Sequence, residues 1–409
     1  RPEISVFKRS KSMRYPVVRN RLLKGYLLLK DALFCVYARI FPLKNVSSDE
    51  APLSNERVLL RNPAALGDVL YALRVASELK KNYPKVKVGF LVGSWAKPLV
   101  VLSSDIDYIH FEDHWAISRS KKNILIRFFH WWNDRQRVVK EIREKNYDIA
   151  VDLYYYFPSA AFLFYQAGIP CRVGYDSNGG TPLLSKVVPW SIAEKHNIEY
   201  QAALLEQIGF SMKGLANSYI SIDFLQEDDC FLSSNGLKSF EYVIVHMGAG
   251  KRTHEWLLDN WAFLIRFLEK MGLRVCFTGI GEYERTNITA VVEEADVECI
   301  SLCDQLTLQE LFQIIKSARL FIGVDSFAGH IAAMYQIPQI SIMHGAANQF
   351  HWQPYHNKNC IVVKRCLDCS PCYFIKLCKK DNLCMDIPLE DVTKAVEKVL
   401  KNSTSRGCI

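Results

Sequence analysis

Short apolar runs alternate with longer amphipathic stretches along most of this 409-residue chain, and the alternation occurs in two series. The first series opens with an apolar run at Arg57–Arg61 and ends in a helical stretch at 195–209. The second opens at 242–246 and ends in a helical stretch at 389–401. Such alternation is typical of βαβ units, whose strands form a parallel sheet. The sequence therefore predicts an α/β protein with two parallel-sheet domains.

The chain length supports the same division, because a single hydrophobic core seldom grows beyond about 250–300 residues. We predict a basic amphipathic extension over 1–50, a Rossmann-like domain over 51–215 and a second Rossmann-like domain over 225–409. In this prediction 172–175 is the last strand of the first domain, and the last strand of the second precedes residue 344. Two such domains facing each other would bind a ligand in the cleft, at the carboxyl ends of the strands.

The positive charge is concentrated at the N-terminus. The whole chain carries a formal charge of +8, and residues 1–60 alone hold twelve Lys or Arg against five Asp or Glu, a balance of +7. The basic residues lead into an apolar stripe from Tyr26 to Phe41. A basic amphipathic helix is typical of contact with an anionic membrane surface. It is equally typical of a helix packed on its domain with the basic side in water, and both interpretations stay open.

Other classes of partner and location are less consistent with the sequence. Nucleic-acid binding is not expected, because the basic excess is local and no DNA- or RNA-binding module is recognisable. An apolar run long enough to span a membrane is absent, as is the pattern of a secretory signal peptide. We expect a cytoplasmic protein, peripheral on the inner face of the inner membrane if the extension binds lipid.

Three motifs follow predicted strands. The first is the sequence LGDVL at 66–70, in which Gly67 permits a tight turn and Asp68 falls near the start of a helix. Asp68 could act as a general base, or it could simply cap the helix, which is the commonest role of Asp at such a position.

The second motif is GVDSFAGH at 323–330. Exposed backbone amides at the start of a helix form a site for a diphosphate, and the helix dipole favours that charge without a metal. The alternative is an ordinary helix cap followed by a buried His330.

The third motif is HMGAGKRTHEW at 246–256, a glycine-containing loop after a strand. Lys251 and Arg252 could neutralise the charge of a departing diphosphate, and His254 lies near the same strand ends. A solvated loop with incidental basic residues is the alternative.

Taken together, the motifs resemble glycosyltransferase family 9, the family of ADP-heptose-dependent lipopolysaccharide heptosyltransferases. The resemblance runs from about Arg57 to the C-terminus and leaves out residues 1–50. It rests on LGDVL at 66–70, RVGY at 172–175, the helix at 196–209, the loop at 246–256, TGIGE at 278–282 and GVDSFAGH at 323–330.

The resemblance implies a GT-B fold and an inverting transfer that needs no cofactor. The acceptor would bind mainly to the N-terminal domain, where Asp68 matches the family's catalytic base. Donor binding would involve residues of the second and third motifs and the ribose-binding position, namely Gly248, Lys251, Arg252, Glu282, Asp325, Ser326, Gly329 and His330. For acceptor binding we name Gly67, Asp152 and Tyr156, the last within an aromatic run that could stack on a sugar.

One position departs from the family pattern. Two residues before Trp256, where the family usually has Lys, this chain has His254. A histidine carries charge less reliably near neutral pH, so Lys251 or Arg252 could take over the role. We still count His254 among the predicted catalytic residues.

The densest local feature is a run of five cysteines, Cys366, Cys369, Cys372, Cys378 and Cys384. This spacing could supply four thiolates to one structural zinc or iron ion. Free thiols and disulfides are the alternatives, and disulfides are unusual in the cytosol. Because the cluster follows the last predicted strand of the sheet, we assign it no catalytic role.

Three functions remain open at this point. The first is transfer of heptose from ADP-heptose to a lipopolysaccharide core or related surface glycan. The second is transfer to a protein acceptor, or from another nucleotide sugar. The third is a non-catalytic relative that binds glycan or membrane as an assembly factor, an alternative that His254 keeps open.

Overall fold

The computed structural model describes residues 20–43, 56–120, 122–191, 193–222, 229–372, 378 and 380–404. The chain divides into two compact units. Unit 1 contains the residues up to Ala193 together with Ile198–Leu215. Unit 2 contains Glu194–Asn197 and the residues from Ala216 onward.

Unit 1 is a six-stranded parallel sheet preceded by a long helix. Its elements in chain order are α1 (Arg21–Ile40), β1 (Arg57–Arg61), α2 (Leu66–Asn82), β2 (Lys87–Val92), α3 (Lys97–Val100), β3 (Tyr108–Phe111), α4 (Ile124–Glu144), β4 (Ile149–Asp152), α5 (Ala161–Gln166), β5 (Cys171–Tyr175), β6 (Lys186–Val188) and α6 (Asn197–Glu206). The strands are arranged in the order β3-β2-β1-β4-β5-β6. Because this order reverses between β1 and β4, ligands are expected outside the carboxyl ends of those two strands.

Unit 2 repeats the same architecture. Its elements are α7 (Asp229–Ser234), β7 (Tyr242–His246), α8 (Leu258–Lys270), β8 (Arg274–Thr278), α9 (Glu282–Ala295), β9 (Ile300–Ser301), α10 (Leu308–Lys316), β10 (Leu320–Val324), α11 (Phe327–Met334), β11 (Gln339–Ile342), α12 (Gln349–Trp352), β12 (Cys360–Val363) and α13 (Leu389–Thr404). The strand order β12-β11-β10-β7-β8-β9 reverses between β7 and β10.

The central strands form from apolar segments that are buried within each sheet. Central strands such as β1 and β10 are almost wholly buried, as expected for apolar segments of parallel sheets. In unit 2 the apolar face of α8 packs on the sheet through Trp261, Leu264 and Leu268. The polar residues that follow the strands are then confined to the sheet edges.

The predicted α/β class with two Rossmann-like, parallel-sheet domains is confirmed. Two edge strands were missed. In unit 1, β6 follows β5, which the sequence had indicated as the last strand. In unit 2, β12 follows β11 and pairs with it in parallel. Both are edge strands with exposed or half-exposed residues, so neither carries the buried apolar run that marks the central strands.

Among the described residues, none of the helices is long and apolar enough to cross a membrane. Most basic residues of the predicted extension, including Lys8, Arg9 and Lys11, lie outside the described residues. Its apolar stripe corresponds to α1, which is described in full.

Candidate functional site

A buried ion pair joins the two central strands of unit 1. Arg61 ends β1 and Asp152 ends β4, and the two residues are partners in the strand register. Their side chains are 1% exposed and 3.0 Å apart, from Arg61 Nη1 to Asp152 Oδ1. The other carboxylate oxygen accepts hydrogen bonds from the Ala160 amide at 2.8 Å and from Asn178 at 3.3 Å. Asp152 thus fixes the loop after β4 to the sheet.

Asp68 lies at the same edge of unit 1. The helix α2 starts at Leu66, with Ala65 at the cap position and no side-chain cap bond. Asp68 is therefore the third helical residue, in the first turn, and does not occupy the N-cap position itself. Asn62 supports this turn by donating to the Asp68 carbonyl at 3.2 Å and accepting from the Ala64 amide. The Asp68 side chain is half-buried.

A cluster of aromatic residues follows β4 beside Asp68. Tyr156 is 37% exposed and lies against Tyr154 and Tyr155, with ring centroids 5.7 and 4.5 Å away. Tyr155 stacks in turn on Trp190. Burial, and secondarily the negative charge of Asp68, raise the pKa of Tyr154 above its usual value. The carboxylate of Asp68 is therefore close enough to this cluster to act on it electrostatically.

In unit 2 the ends of four neighbouring strands carry polar side chains. His246 at the end of β7 contacts Thr278 at the end of β8, with 2.9 Å between Nδ1 and Oγ1. Asp325 follows β10, and His344 follows β11. The Asp325 carboxylate lies 3.5 Å from His344 Nε2 and 3.9 Å from His330 Nε2.

His254 completes the imidazole group around Asp325. Its ring stacks on that of His344 with 3.4 Å between centroids and 16° between planes. Burial lowers the pKa of His254 to about 3, helped by His344 and Lys251 and opposed by Asp325. His254 is therefore neutral near pH 7. Burial by itself would raise the pKa of Asp325, but the hydrogen bond from His344 and the neighbouring imidazoles hold it below the usual value.

A backbone hydrogen bond fixes the tautomer of the His344 ring. Its Nδ1 accepts from the Ala346 amide at 3.1 Å. The proton of the neutral ring therefore resides on Nε2, which faces Asp325. This arrangement orients the carboxylate and gives the ring a fixed face for His254.

The start of α11 adjoins Asp325. Ser326 occupies the cap position and accepts from the Gly329 amide at 3.4 Å. His330, one turn into the helix, is buried. The cap and the buried histidine of the alternative interpretation are both present, but Asp325 also lies among three imidazoles. A helix start beside titratable rings can bind an anion.

The loop after β7 packs on the turn after β8. Gly248 is so close to Glu284 that a Cβ at this position would overlap the Glu284 carboxylate. Glu284 also accepts from the Ile280 amide at 3.0 Å, and its pKa is raised mainly by burial. By contrast, Glu282 is the first residue of α9 and is exposed.

The cations of this loop are exposed. Arg252 lies over the ring of Tyr283, 4.1 Å from its centroid, and Tyr283 donates to Glu255 at 2.8 Å. Lys251 is exposed as a residue, but partial desolvation of its ammonium group by the surrounding loop lowers its pKa. The loop ends at Trp256, which is buried and donates to the Ile387 carbonyl at 2.9 Å.

The structure thus places the predicted site residues in two groups. Gly67, Asp68, Asp152 and Tyr156 adjoin the β1 and β4 ends in unit 1. Gly248, Lys251, Arg252, His254, Glu282, Asp325, Ser326, Gly329 and His330 adjoin the strand ends of unit 2. Sequence reasoning missed His344 and Glu284. The position of His344 directly after a predicted strand was the available signal for that residue.

The cysteine run lies after β12. Cys366 and Cys369 are exposed, whereas Cys372, Cys378 and Cys384 are half-buried. In the described ranges, no group of three or more His, Cys, Asp or Glu side chains is arranged to hold a metal ion. Residues 373–377 and 379, which interrupt the run, lie outside those ranges.

Comparison with known proteins identifies the family. The profile of glycosyltransferase family 9 (heptosyltransferase) matches residues 135–383. The chain belongs to glycosyltransferase family 9. One relative, lipopolysaccharide heptosyltransferase 3 of Escherichia coli K12, is 26% identical over 360 residues, covering 82% of this chain and 95% of its own. The family 9 chain is therefore an enzyme, a glycosyltransferase of the heptosyltransferase family.

Solved structures share the fold at low sequence identity. A glycosyltransferase family 9 protein from Veillonella parvula is 21% identical, with a TM-score of 0.70 and coverage of 87% of this chain and 100% of its own. The Escherichia coli heptosyltransferase WaaC with ADP is 16% identical, with a TM-score of 0.58 and coverage of 84% and 98%. The predicted GT-B fold is confirmed.

Proposed function

We propose that this family 9 enzyme transfers heptose from ADP-heptose to the lipopolysaccharide core or a related surface glycan. The observation that carries the proposal is that Asp325 and Ser326 after β10, His344 after β11 and His254 in the loop after β7 lie together. The names of relatives support the donor and acceptor, since the K12 relative is a lipopolysaccharide heptosyltransferase and the WaaC structure contains ADP.

In the proposal, unit 2 binds the donor diphosphate at the start of α11. The amides there and the Ser326 hydroxyl would donate to its oxygens, while the helix dipole favours its negative charge. Lys251 and Arg252 are exposed on the neighbouring loop and would neutralise the nucleoside diphosphate as it leaves. Together these groups would promote departure of the leaving group without a metal.

The stacked pair of His254 and His344 would supply a further positive charge when the donor binds. His254 is neutral in the free protein because burial disfavours its charged form. A diphosphate placed beside it would stabilise the imidazolium, so the protein would take up a proton from solvent when the donor binds. His344 acts as a positioning residue, because its stacked ring fixes that of His254 while its Nε2 faces Asp325.

Glu284 is the better-placed carboxylate for the ribose of the donor. It is half-buried between the Gly248 loop and the Ile280 turn, whereas Glu282 is exposed at the start of α9. A carboxylate held by a backbone amide in a recess can accept from ribose hydroxyls with little loss of side-chain entropy. We therefore assign this role to Glu284 in place of Glu282.

Unit 1 would bind the acceptor and provide the base. Asp68 would take the proton from the acceptor hydroxyl as that oxygen attacks the anomeric carbon, and the bond to the diphosphate would break with inversion. Gly67 lets the chain approach closely at the same turn, and Tyr156 offers an exposed ring for stacking on a sugar. Asp152 is buried and paired with Arg61, so it would act by positioning the aromatic loop.

The test is calorimetric titration of the full chain with ADP-heptose, ADP and UDP-sugars. Selective binding of the two ADP compounds would support the donor assignment. Selective binding of a UDP-sugar would contradict it. Transfer to lipopolysaccharide core acceptors is then compared with transfer to serine-containing peptides, and preference for the peptides would replace the glycan acceptor by a protein.

We also propose that the cysteine run holds a structural metal ion. Burial raises the pKa of Cys384, and the neighbouring thiols of Cys378 and Cys372 add to this effect. These three thiols are therefore close enough to interact. A bound zinc or iron ion would favour the thiolate forms, and its positive charge would offset the repulsion between them.

The metal proposal is tested by elemental analysis of the purified protein. We expect about one zinc or iron per chain, lost in Cys384→Ser and retained in the matched variant Cys299→Ser, which lies outside the run. Absence of metal from protein purified without chelators would contradict the proposal and favour free thiols.

A further inference from the structure

The side of α1 that faces away from unit 1 is apolar. Its most exposed large side chains are Leu22 at 84%, Leu29 at 64%, Ile40 at 63%, Leu33 at 61% and Val36 at 52%. They recur at intervals of seven, four, three and four residues, so they form one stripe along the helix. A helix that merely covers a domain would present a polar face here.

The opposite side of α1 is fixed to unit 1. Leu27 is fully buried, and the buried Asp31 accepts from the Gly180 amide at 2.7 Å and from Thr181 at 3.0 Å. Phe34 stacks on Phe162 of α5 with 4.9 Å between centroids. The helix therefore cannot rotate its apolar stripe inward without breaking these contacts.

The first turns of α4 present a second apolar patch. Leu125, Phe129 and Trp132 are 64%, 63% and 56% exposed. Trp132 stacks near Phe128, which contacts Trp115.

A chain of ring contacts connects this patch to α1. Trp115 contacts Phe157 at 6.4 Å between centroids, and Phe157 contacts Tyr26 of α1 at 6.3 Å. Tyr26 is itself half-exposed and lies on the α1 stripe. The stripe and the α4 patch therefore belong to one surface of unit 1, which we call the α1–α4 surface.

The charges on α1 and on the first turns of α4 are mainly positive. On α1 they are Arg21, Lys24 and Arg39. The remaining cation, Lys30, lies over the rings of Phe34 and Phe157 and is not counted with them. The single acidic residue of α1, Asp31, is buried and hydrogen-bonded. The first ten residues of α4 contain Arg127 and no acidic residue. The first acidic residue of α4, Asp134, pairs with Arg137.

We propose that the α1–α4 surface docks unit 1 on an anionic lipid bilayer. Exposed leucines and aromatic rings would enter the headgroup region, and the basic residues around them would contact lipid phosphates. A second copy of the chain fits less well, because a twofold contact would bring the same positive charges together. The aromatic composition also matches the membrane interface, where Trp and Tyr are enriched.

This proposal goes beyond the proposed transfer reaction and does not depend on it. The docking residues are separate from Asp68 and from the donor-binding residues. Docking would bring a glycolipid acceptor to the enzyme in the plane of its membrane, but vesicle binding can be measured without donor or acceptor.

The experiment is flotation of the full chain with phosphatidylcholine vesicles, with and without phosphatidylglycerol. We expect binding to the anionic vesicles. Leu29→Gln/Leu33→Gln should weaken it by about a hundredfold, because each of the two leucines contributes roughly a decade in affinity. Trp132→Gln on α4 should also weaken it severalfold. The matched control Tyr219→Gln removes an exposed ring of unit 2 and should bind as the unmodified protein does.

The outcomes separate the alternatives. Circular dichroism melts of the variants must match that of the unmodified chain. We expect them to match, because the replaced side chains are exposed. The proposal is overturned if the unmodified chain does not bind anionic vesicles, or if Leu29→Gln/Leu33→Gln binds them equally well. An effect of the leucine pair without one of Trp132→Gln overturns the role of α4. Light scattering tests for a dimer. A dimer that is lost in Leu29→Gln/Leu33→Gln, in a protein that does not bind lipid, would assign the surface to self-association and overturn the proposal.

Discussion

At the scale of single residues, Asp68 is the group on which the proposed chemistry depends. Asp68→Asn keeps the size of the side chain but removes the base, so transfer should fall by about a hundredfold or more. Donor binding should change little, because Asp68 belongs to unit 1. Initial rates and calorimetric titration of the same preparation measure the two effects. A transfer rate close to that of the unmodified enzyme would eliminate Asp68 as the base.

His254 provides the second residue-scale prediction. Its pKa in the free protein is about 3, and a bound diphosphate would raise it by charge attraction. Donor binding then takes up a proton, so affinity for ADP-heptose should increase as the pH is lowered from about 8 to about 6. His254→Lys carries its charge throughout this range and should bind with a weaker pH dependence. Equal pH dependence in the two proteins would contradict the proposed proton uptake.

The substrate must be chosen with care in that experiment. ADP has a terminal phosphate that itself titrates near neutral pH, with a second pKa of about 6 as for other phosphate monoesters. ADP-heptose has no such group, so its affinity reports on the protein. Buffers of different ionisation enthalpy give the number of protons taken up directly.

At the scale of elements, the contact between the loop after β7 and the turn after β8 can be tested at a glycine. In Gly248→Ala the new methyl group would overlap the Glu284 carboxylate. The end of a flexible side chain can move at little cost, so stability should change by less than about 1 kcal/mol. Moving Glu284 away from the proposed ribose site should weaken ADP binding by about tenfold.

The chain provides a matched control for that variant. Gly250 lies in the same loop, and a Cβ there would meet no atom within 4 Å. Gly250→Ala should therefore bind ADP as the unmodified enzyme does. Equal weakening in both variants would indicate a general need for loop flexibility and would remove the argument for Glu284.

The arrangement of the elements explains which site residues could be predicted from the sequence. Asp68 and Asp325 were recognised because strand, turn and helix are contiguous around each of them. His344 was not, because its proximity to Asp325 depends on the pairing of β10 with β11, in which Val324 is opposite Ile342. A periodic pattern identifies strands but does not give their neighbours.

The helix α1 illustrates a second kind of limit. Its amphipathic pattern was evident, but the pattern did not tell which side would pack on unit 1. Asp31 and Leu27 determine that side through contacts with residues about 150 positions away. Those contacts are tertiary, so the exposed apolar stripe emerged only from the fold.

At the scale of the whole molecule, both units contain histidines that folding keeps neutral. Burial lowers the pKa of His110 to about 4 and that of His114 to about 2 in unit 1. It lowers the pKa of His246 to about 4 and that of His254 to about 3 in unit 2. The usual pKa is about 6.5, so below that value the unfolded chain binds more protons than the folded chain.

Stability should therefore be greatest above about pH 6.5 and fall as the pH decreases toward about 4. Well below about pH 6.5, each of the four histidines would lower the unfolding free energy by roughly 1 kcal/mol per pH unit, because the unfolded chain protonates the ring and the folded chain keeps it neutral. Denaturant unfolding followed between about pH 7 and about pH 5 measures this loss. His110→Gln should reduce the pH dependence by about one proton, although it loses the contact with Tyr147.

The control for this last prediction is Phe129→Gln, since Phe129 is exposed on α4 and neither side chain titrates, so the replacement should leave the pH dependence unchanged. Because the depressed pKa values occur in both units, acid should destabilise unit 1 and unit 2 alike. A protein whose unfolding free energy is constant between about pH 7 and about pH 5 would show that these histidines protonate without unfolding the chain. In that case His254 could also be charged in the free enzyme, and donor binding would need no proton uptake.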